Sequence, residues 1–311
     1  MIFPATHTLR FTALASTDFA DIDLVVAARS STEDRGHLPL WDDIAAANPE
    51  RVAWITPHGR DSAVFSLAGL DQELTLSDEN ALTAIVRGRS VLIDMSGLPH
   101  STWAPLFRAA HSARVNTRVL YAEPDRYKEH SSPISASRFD LSTTLEGLAP
   151  LPGFARLMGP PDESRCLFVA MLGFEGNRPE CLALQIEPLP KVVPVVGVPG
   201  FQLEYPSFTV ACNRRFLQEY RAHSDIRYAR ASCPFEAYKA IEEIRRDFNG
   251  YYLYLAPVGT KPHALGAVWY ALDHPDDCEI MFDHPVRKPG RTSGIGVVHV
   301  YDFGVFEGGN V

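Results

Sequence analysis

The stretch YLAPVGTKPHALGAVWYAL, Tyr254 to Leu272, runs from an apolar strand through a short turn into a helix and puts Lys261 where the helix begins. Helix starts ordinarily favour Asp, Glu, Ser or Thr, because exposed N–H groups and the macrodipole attract negative charge. Gly259, Thr260 and Lys261 instead offer backbone donors, a hydroxyl and a cation together, the chemistry of an anion-binding turn. The plainer role for the same residues is a Thr260 cap with Lys261 in water. His263 stands in the first helical turn, where the dipole favours a neutral imidazole that can act as acid, base or hydrogen-bond partner.

Three further groups of residues have types suited to an anion. FVAMLGFEGNR puts Glu175 and Arg178 just after a strand, and LVVAARSSTEDR puts Glu33 and Arg35 in the matching place of the first half. HPVRKPGRTSGIG, His284 to Gly296, holds Arg287, Lys288 and Arg291 among Gly, Ser and Thr. Guanidinium groups grip phosphate bidentately, and glycines let backbone N–H groups approach it. That loop is expected to close over an anion held at the Gly-Thr-Lys turn. Each Glu/Arg pair would serve equally as an ion pair fixing its own loop.

The elements that must carry these residues alternate. In the first half DIDLVVAAR, RVAWITP, SVLIDMS and TRVLYAEP read as strands and TWAPLFRAAHSA as a helix. In the second half CLFVAMLGF, KVVPVVGVPG, DIRYARA, YYLYLAP and CEIMFDHP are strands, separated by helices such as SFTVACNRRFLQEY and PFEAYKAIEEIRRDF. This rhythm predicts an α/β fold with mainly parallel sheets and crossover helices. The halves also repeat one another. SVLIDMSGLPHSTWAPLFRAA and YYLYLAPVGTKPHALGAVWYAL come into register on Pro99-His100 and Pro262-His263, each an apolar strand, a small-residue turn (Ser96-Gly97 or Gly259-Thr260) and a helix. Leu98 stands where the second copy has Lys261. The reading is of two Rossmann-like units, 1–150 and 151–311, related by internal duplication and packed about a pseudo-twofold axis. Ligand sites of such units lie beyond the carboxyl ends of the strands, where Glu33, Arg35, Ser96, Glu175, Arg178 and Gly259 to Lys261 all fall, so the two sets are expected to line one cleft.

Composition narrows the partners. A formal net charge of -9 argues against general duplex nucleic-acid binding, so a phosphate site must be a local pocket of positive charge. Five cysteines without CxxC spacing suggest neither a zinc ribbon nor a disulfide framework, and reduced thiols fit a cytoplasmic protein. MIFPATHTLRF lacks the pattern of a signal peptide, and no window approaches a membrane span. No GxSxG, HExxH or metal-spaced carboxylate cluster is present, and no metal or cofactor is called for.

A first strand with a polar loop and a late strand followed by a Gly-Thr-Lys turn opening a helix resembles the CARF domain, the Rossmann-like sensor of cyclic oligoadenylates in CRISPR systems. Tandem CARF-like units in one chain resemble the SAVED domain of related antiviral signalling systems. The resemblance implies a nucleotide or cyclic-oligonucleotide phosphate site with Gly259, Thr260 and Lys261 as the late-strand motif and the loop from Gly173 to Arg178 as the first-strand motif. It implies a sensor or regulatory component of bacterial antiviral defence, recognising a phosphorylated small molecule or short oligonucleotide. Because the two units consume the chain, a protein partner would supply the effector activity. Two other functions stay open: a nucleotide- or nucleoside-processing hydrolase, either a ring-nuclease-like phosphodiesterase using His100 or His263 or a glycosidase, and a scaffold subunit whose pocket is degenerate.

Overall fold

Runs such as VLID (91–94) and CLFVAM (166–171) show no polar alternation, and every residue in them is buried. Such runs belong inside parallel sheets covered on both faces. The computed structural model describes residues 8–11, 14–157 and 159–304 and builds a sheet around each of these two strands.

The first unit contains, in chain order, β1 (Thr8–Phe11), β2 (Leu24–Ala28), α1 (Leu40–Ala47), β3 (Val52–His58), β4 (Ser62–Leu67), β5 (Leu70–Thr75), α2 (Glu79–Val86), β6 (Val91–Asp94), α3 (His100–Ser112) and β7 (Thr117–Tyr127). The second contains β8 (Glu129–Ile134), β9 (Ser137–Phe139), β10 (Ser142–Leu145), β11 (Cys166–Met171), α4 (Asn177–Ala183), β12 (Lys191–Gly197), α5 (Tyr205–Cys212), α6 (Arg214–Glu219), β13 (Arg227–Ala229), α7 (Pro234–Asp247), β14 (Tyr252–Ala256), α8 (Lys261–Asp273), β15 (Cys278–Ile280) and β16 (Pro285–Arg287). The last strand, β17 (Thr292–Asp302), returns to the first unit and pairs antiparallel with β7 and β1. Three segments therefore cross the division drawn at residue 150. Lys128–Pro150 belongs to the second unit, and Leu151–Gly153 and the segment that begins at Pro289 belong to the first. An antiparallel strand can reach its partner from anywhere in the chain, and nothing in the pattern of VVHVY names that partner.

The first sheet is mixed, in the order β1-β17-β7-β6-β2-β3-β4-β5. Its centre, β3-β2-β6-β7, is parallel, and the antiparallel β4–β5 hairpin extends one side. In the second unit β13-β12-β11-β14-β15 is wholly parallel. The four-strand order β12-β11-β14-β15 repeats β3-β2-β6-β7, with α8 following β14 as α3 follows β6. Right-handed crossovers require a strand, a connection and a helix in this succession, which the alternating sequence supplies.

Cores follow from the same runs. One packs Val25, Leu92 and Leu120 against Phe19, Trp41 and Ile44; the other packs Phe168, Val192 and Ala256 against Leu182, Phe216 and Leu217. On the opposite face of the second sheet α7 meets α8, with the Tyr238 and Trp269 rings 4.2 Å apart and Phe235 edge-on to Trp269 at 5.9 Å. Aromatic burial of this kind contributes about 1.5–3 kcal/mol per side chain. No helix among the described residues is long and apolar enough to cross a membrane.

Candidate functional site

In the second unit β11 has β12 on one side and β14 on the other, so the chain reverses its direction of winding at this strand. Loops at such a point part to leave a crevice beyond the strand ends. Here the loops leaving β11 and β14 touch through glycine. A Cβ on Gly173 would lie 2.8 Å from the Val258 oxygen, and one on Gly259 would lie 2.7 Å from the Leu172 oxygen. Only residues without a side chain allow backbones this close.

Arg178, in the first turn of α4, fastens the arrangement. Its Nη1 donates to the Val258 carbonyl at 3.2 Å, while Nε and Nη2 donate to Asp283 at 2.8 and 2.6 Å. Glu175 lies 3.5 Å from Nη1 and accepts from the Ser142 hydroxyl at 3.1 Å. Asn213, 1% exposed between α5 and α6, donates to the Gly173 carbonyl at 2.7 Å. Thus Glu175, Arg178 and Gly259 converge as the sequence suggested. The guanidinium, however, is matched to a buried carboxylate of the protein.

The turn itself is tightly made. Thr260 caps α8, accepting from the His263 N–H at 3.4 Å and donating its hydroxyl proton to the Ala231 carbonyl at 2.7 Å. His263 is 1% exposed and its Nε2 donates to the Arg230 carbonyl at 3.0 Å, which leaves Nδ1 as the bare nitrogen. Burial pushes its pKa below the ordinary imidazole value, so the ring is neutral. Lys261 opens the helix at 6% exposure, a cation set against the positive end of the helix dipole. The capping role given to Thr260 is therefore present, and the lysine is buried beside it instead of pointing into water.

The basic segment is divided between the two units. Arg287 ends β16, opposite Ser142 of β10. Lys288 pairs with Asp140, and its N–H donates to the Leu141 carbonyl at 2.9 Å. Arg291 belongs to the first unit, where Nε and Nη2 both reach Glu33 at 2.9 Å. Pro289 and Gly290 lie between these anchors, so Arg287 and Lys288 on one side and Arg291 on the other serve different units.

In the first unit Glu33 is the hub. It also takes Arg35 Nη2 at 2.7 Å and the Thr292 hydroxyl at 3.0 Å. Arg35, 2% exposed, donates to the Ala122 carbonyl at 2.9 Å and lies over the Tyr121 ring at 5.4 Å. Burial works against its charge, but Tyr121 and Glu33 hold the guanidinium pKa above its ordinary value. Ser96 accepts from the Ala122 N–H through its hydroxyl and donates its own N–H to Asp94, both at 2.9 Å. Glu33, Arg35 and Arg291 thus form one ionic cluster that ties the loop after β2 to β17.

Several of these partners were not among the candidates read from the sequence. Asp94 ends β6 and Asp283 lies three residues beyond β15, in the apolar runs VLIDMS and IMFDHP, where a carboxylate is itself a sign of a buried partner. Asp94 accepts from the Trp41 indole at 2.8 Å. Glu123 and His299, paired at 2.5 Å across β7 and β17, become neighbours only once those strands pair. His37, two residues after Arg35, likewise carries no motif that marks it. Among the described residues no group of His, Cys, Asp and Glu is arranged to hold a metal. No protein-family model, no curated protein and no solved structure matches the chain.

Proposed function

We propose that the second unit recognises a phosphate-bearing ligand, a nucleotide or short oligonucleotide, and that the protein is a sensor or regulatory component of bacterial antiviral defence that acts through a protein partner. The observation carrying this reading is Lys261, buried at the first position of α8, in a turn pressed by glycines against the end of the switch-point strand β11. A buried ammonium beside the N–H groups of a helix start concentrates positive potential in a chain whose overall charge is negative. The repeated strand order further supports an internal duplication, with the buried Leu98 aligned in sequence to Lys261. In this reading the first unit has become a support and the second keeps the anion site.

The pairing of Arg35 and Arg291 with Glu33, of Arg178 with Asp283 and of Lys288 with Asp140 favours a second reading, a scaffold whose pocket has been closed by internal ion pairs. Thermal melting with a panel of mononucleotides and linear and cyclic oligonucleotides, read with ligand recovery, separates the possibilities. The sensor predicts a stabilising shift that Lys261→Ala abolishes, with ligand recovered intact. Turnover would indicate the hydrolase, and no shift across the panel would leave the scaffold.

A further inference from the structure

The loop joining β2 to α1 carries Glu33 and Arg35, and its far end is held by His37. The His37 Nδ1 lies 3.1 Å from the Ala28 carbonyl, and Nε2 lies 2.8 Å from the Asp42 carboxylate. Both partners are acceptors only, so both ring nitrogens must donate, and only the imidazolium has two N–H groups. The ring stacks on Trp54 of β3, with centroids 5.2 Å apart and planes 23° from parallel, which fixes its orientation. The side chain is 28% exposed, so protons can reach it.

We propose that His37 is a proton-dependent latch: doubly protonated, it ties the loop's end to the last residue of β2 and to α1, and on losing a proton it lets go of one of them. The charged groups facing it are Asp42 from α1 and Asp94 from the end of β6, and from β3 the Trp54 ring lies against it. Deprotonation turns one nitrogen into a lone pair opposed to an oxygen lone pair, so one contact becomes repulsive. Partial burial opposes the charge, but the Asp42 and Ala28 hydrogen bonds and the two carboxylates outweigh it and raise the pKa above the ordinary imidazole value. The raised value belongs to the closed loop. Closure is therefore complete below about pH 6.5, the ordinary value, and weakens as pH rises through the His37 midpoint. At the other end of the loop Glu33 keeps its ionic cluster, so release is confined to the segment around His37 and the start of α1.

Two measurements on the full chain test this. NMR titration of the histidine rings, with His37→Gln assigning the signal, should give His37 a midpoint above about 6.5, and Asp42→Asn should lower it. Hydrogen exchange of the peptide spanning Arg29 to Leu40, corrected for the intrinsic effect of pH, should rise by about tenfold for each pH unit separating that midpoint from 6.5. In His37→Gln the corrected exchange should not change with pH. A His37 midpoint at or below the ordinary value, or the same pH-dependent exchange in wild type and His37→Gln, would overturn the proposal. The wild-type titration decides the point even where a variant folds poorly.

Discussion

Removing the Asp283 carboxylate, as Asp283→Ala, tests whether Arg178 is a brace or a ligand-binding cation. Asp283 is 3% exposed and Arg178 6%, and two donors of the guanidinium are spent on this one partner at 2.8 and 2.6 Å. Taking one member from a buried ion pair typically costs about 3–5 kcal/mol, because the other charge stays behind without compensation. Glu175, 3.5 Å from the same guanidinium and itself only partly buried, can move in, which places the cost near the lower end of that range. A loss of about 3 kcal/mol corresponds to roughly a hundredfold rise in the opening equilibrium. Native-state hydrogen exchange of the slowest amides in β11 and β14 reads that equilibrium for the second unit alone, with the first sheet as an internal reference. Arg215→Ala is the control: its side chain is 75% exposed between Glu180 and Glu219, and its loss should leave those amides unchanged. A rise of less than about fivefold in Asp283→Ala, under about 1 kcal/mol, would refute the brace and return Arg178 to the candidates for ligand contact.

Other consequences follow from the same contacts. Glu33→Gln should destabilise the first unit by about 3 kcal/mol, since Arg35 and Arg291 both lose their carboxylate, and the loss should appear as faster hydrogen exchange in β17. Gly259→Ala forces a methyl toward the Leu172 and Met171 carbonyl oxygens, at 2.7 and 2.9 Å, and should cost about 1–3 kcal/mol while loosening the turn before α8, as read by urea unfolding and local exchange. Because the folded pKa of His263 is depressed, the stability it contributes is present above the unfolded value of about 6.5 and is lost as pH falls below it. Thermal melts between pH 5 and 8 should show this acid-side loss in wild type and a flatter profile in His263→Gln.

The fold was legible because its signals are local. Each apolar run quoted in the sequence analysis contains a strand, and the helical stretches became α3, α5 with α6, and α7. The α/β class then follows from their alternation. The antiparallel additions were not visible in this way. The stretch from Lys128 to Pro150 contains β8, β9 and β10, in which Phe139 is the one buried residue, so there is little apolar periodicity to detect. The place of β17 depends on a pairing with β7 across more than half the chain, which no local pattern encodes.

The candidate site divides along the same physical line. Residue type and position at strand ends correctly gathered Glu175 with Arg178 and Glu33 with Arg35, because each pair lies within one loop. What the sequence could not distinguish is whether a buried arginine awaits an anion from outside or already has one from within, since both demands select the same residue in the same place. The answer lies in partners distant along the chain: Asp283 for Arg178 and Glu33 for Arg291. Charge that is balanced by such a partner holds loops together, and a ligand could claim it only by displacing a carboxylate from a site with little access to water, at the cost of leaving that carboxylate buried alone. In the second unit Arg178 is in this sense a frame: its bond to the Val258 carbonyl keeps the turn before α8 in place while Asp283 balances its charge.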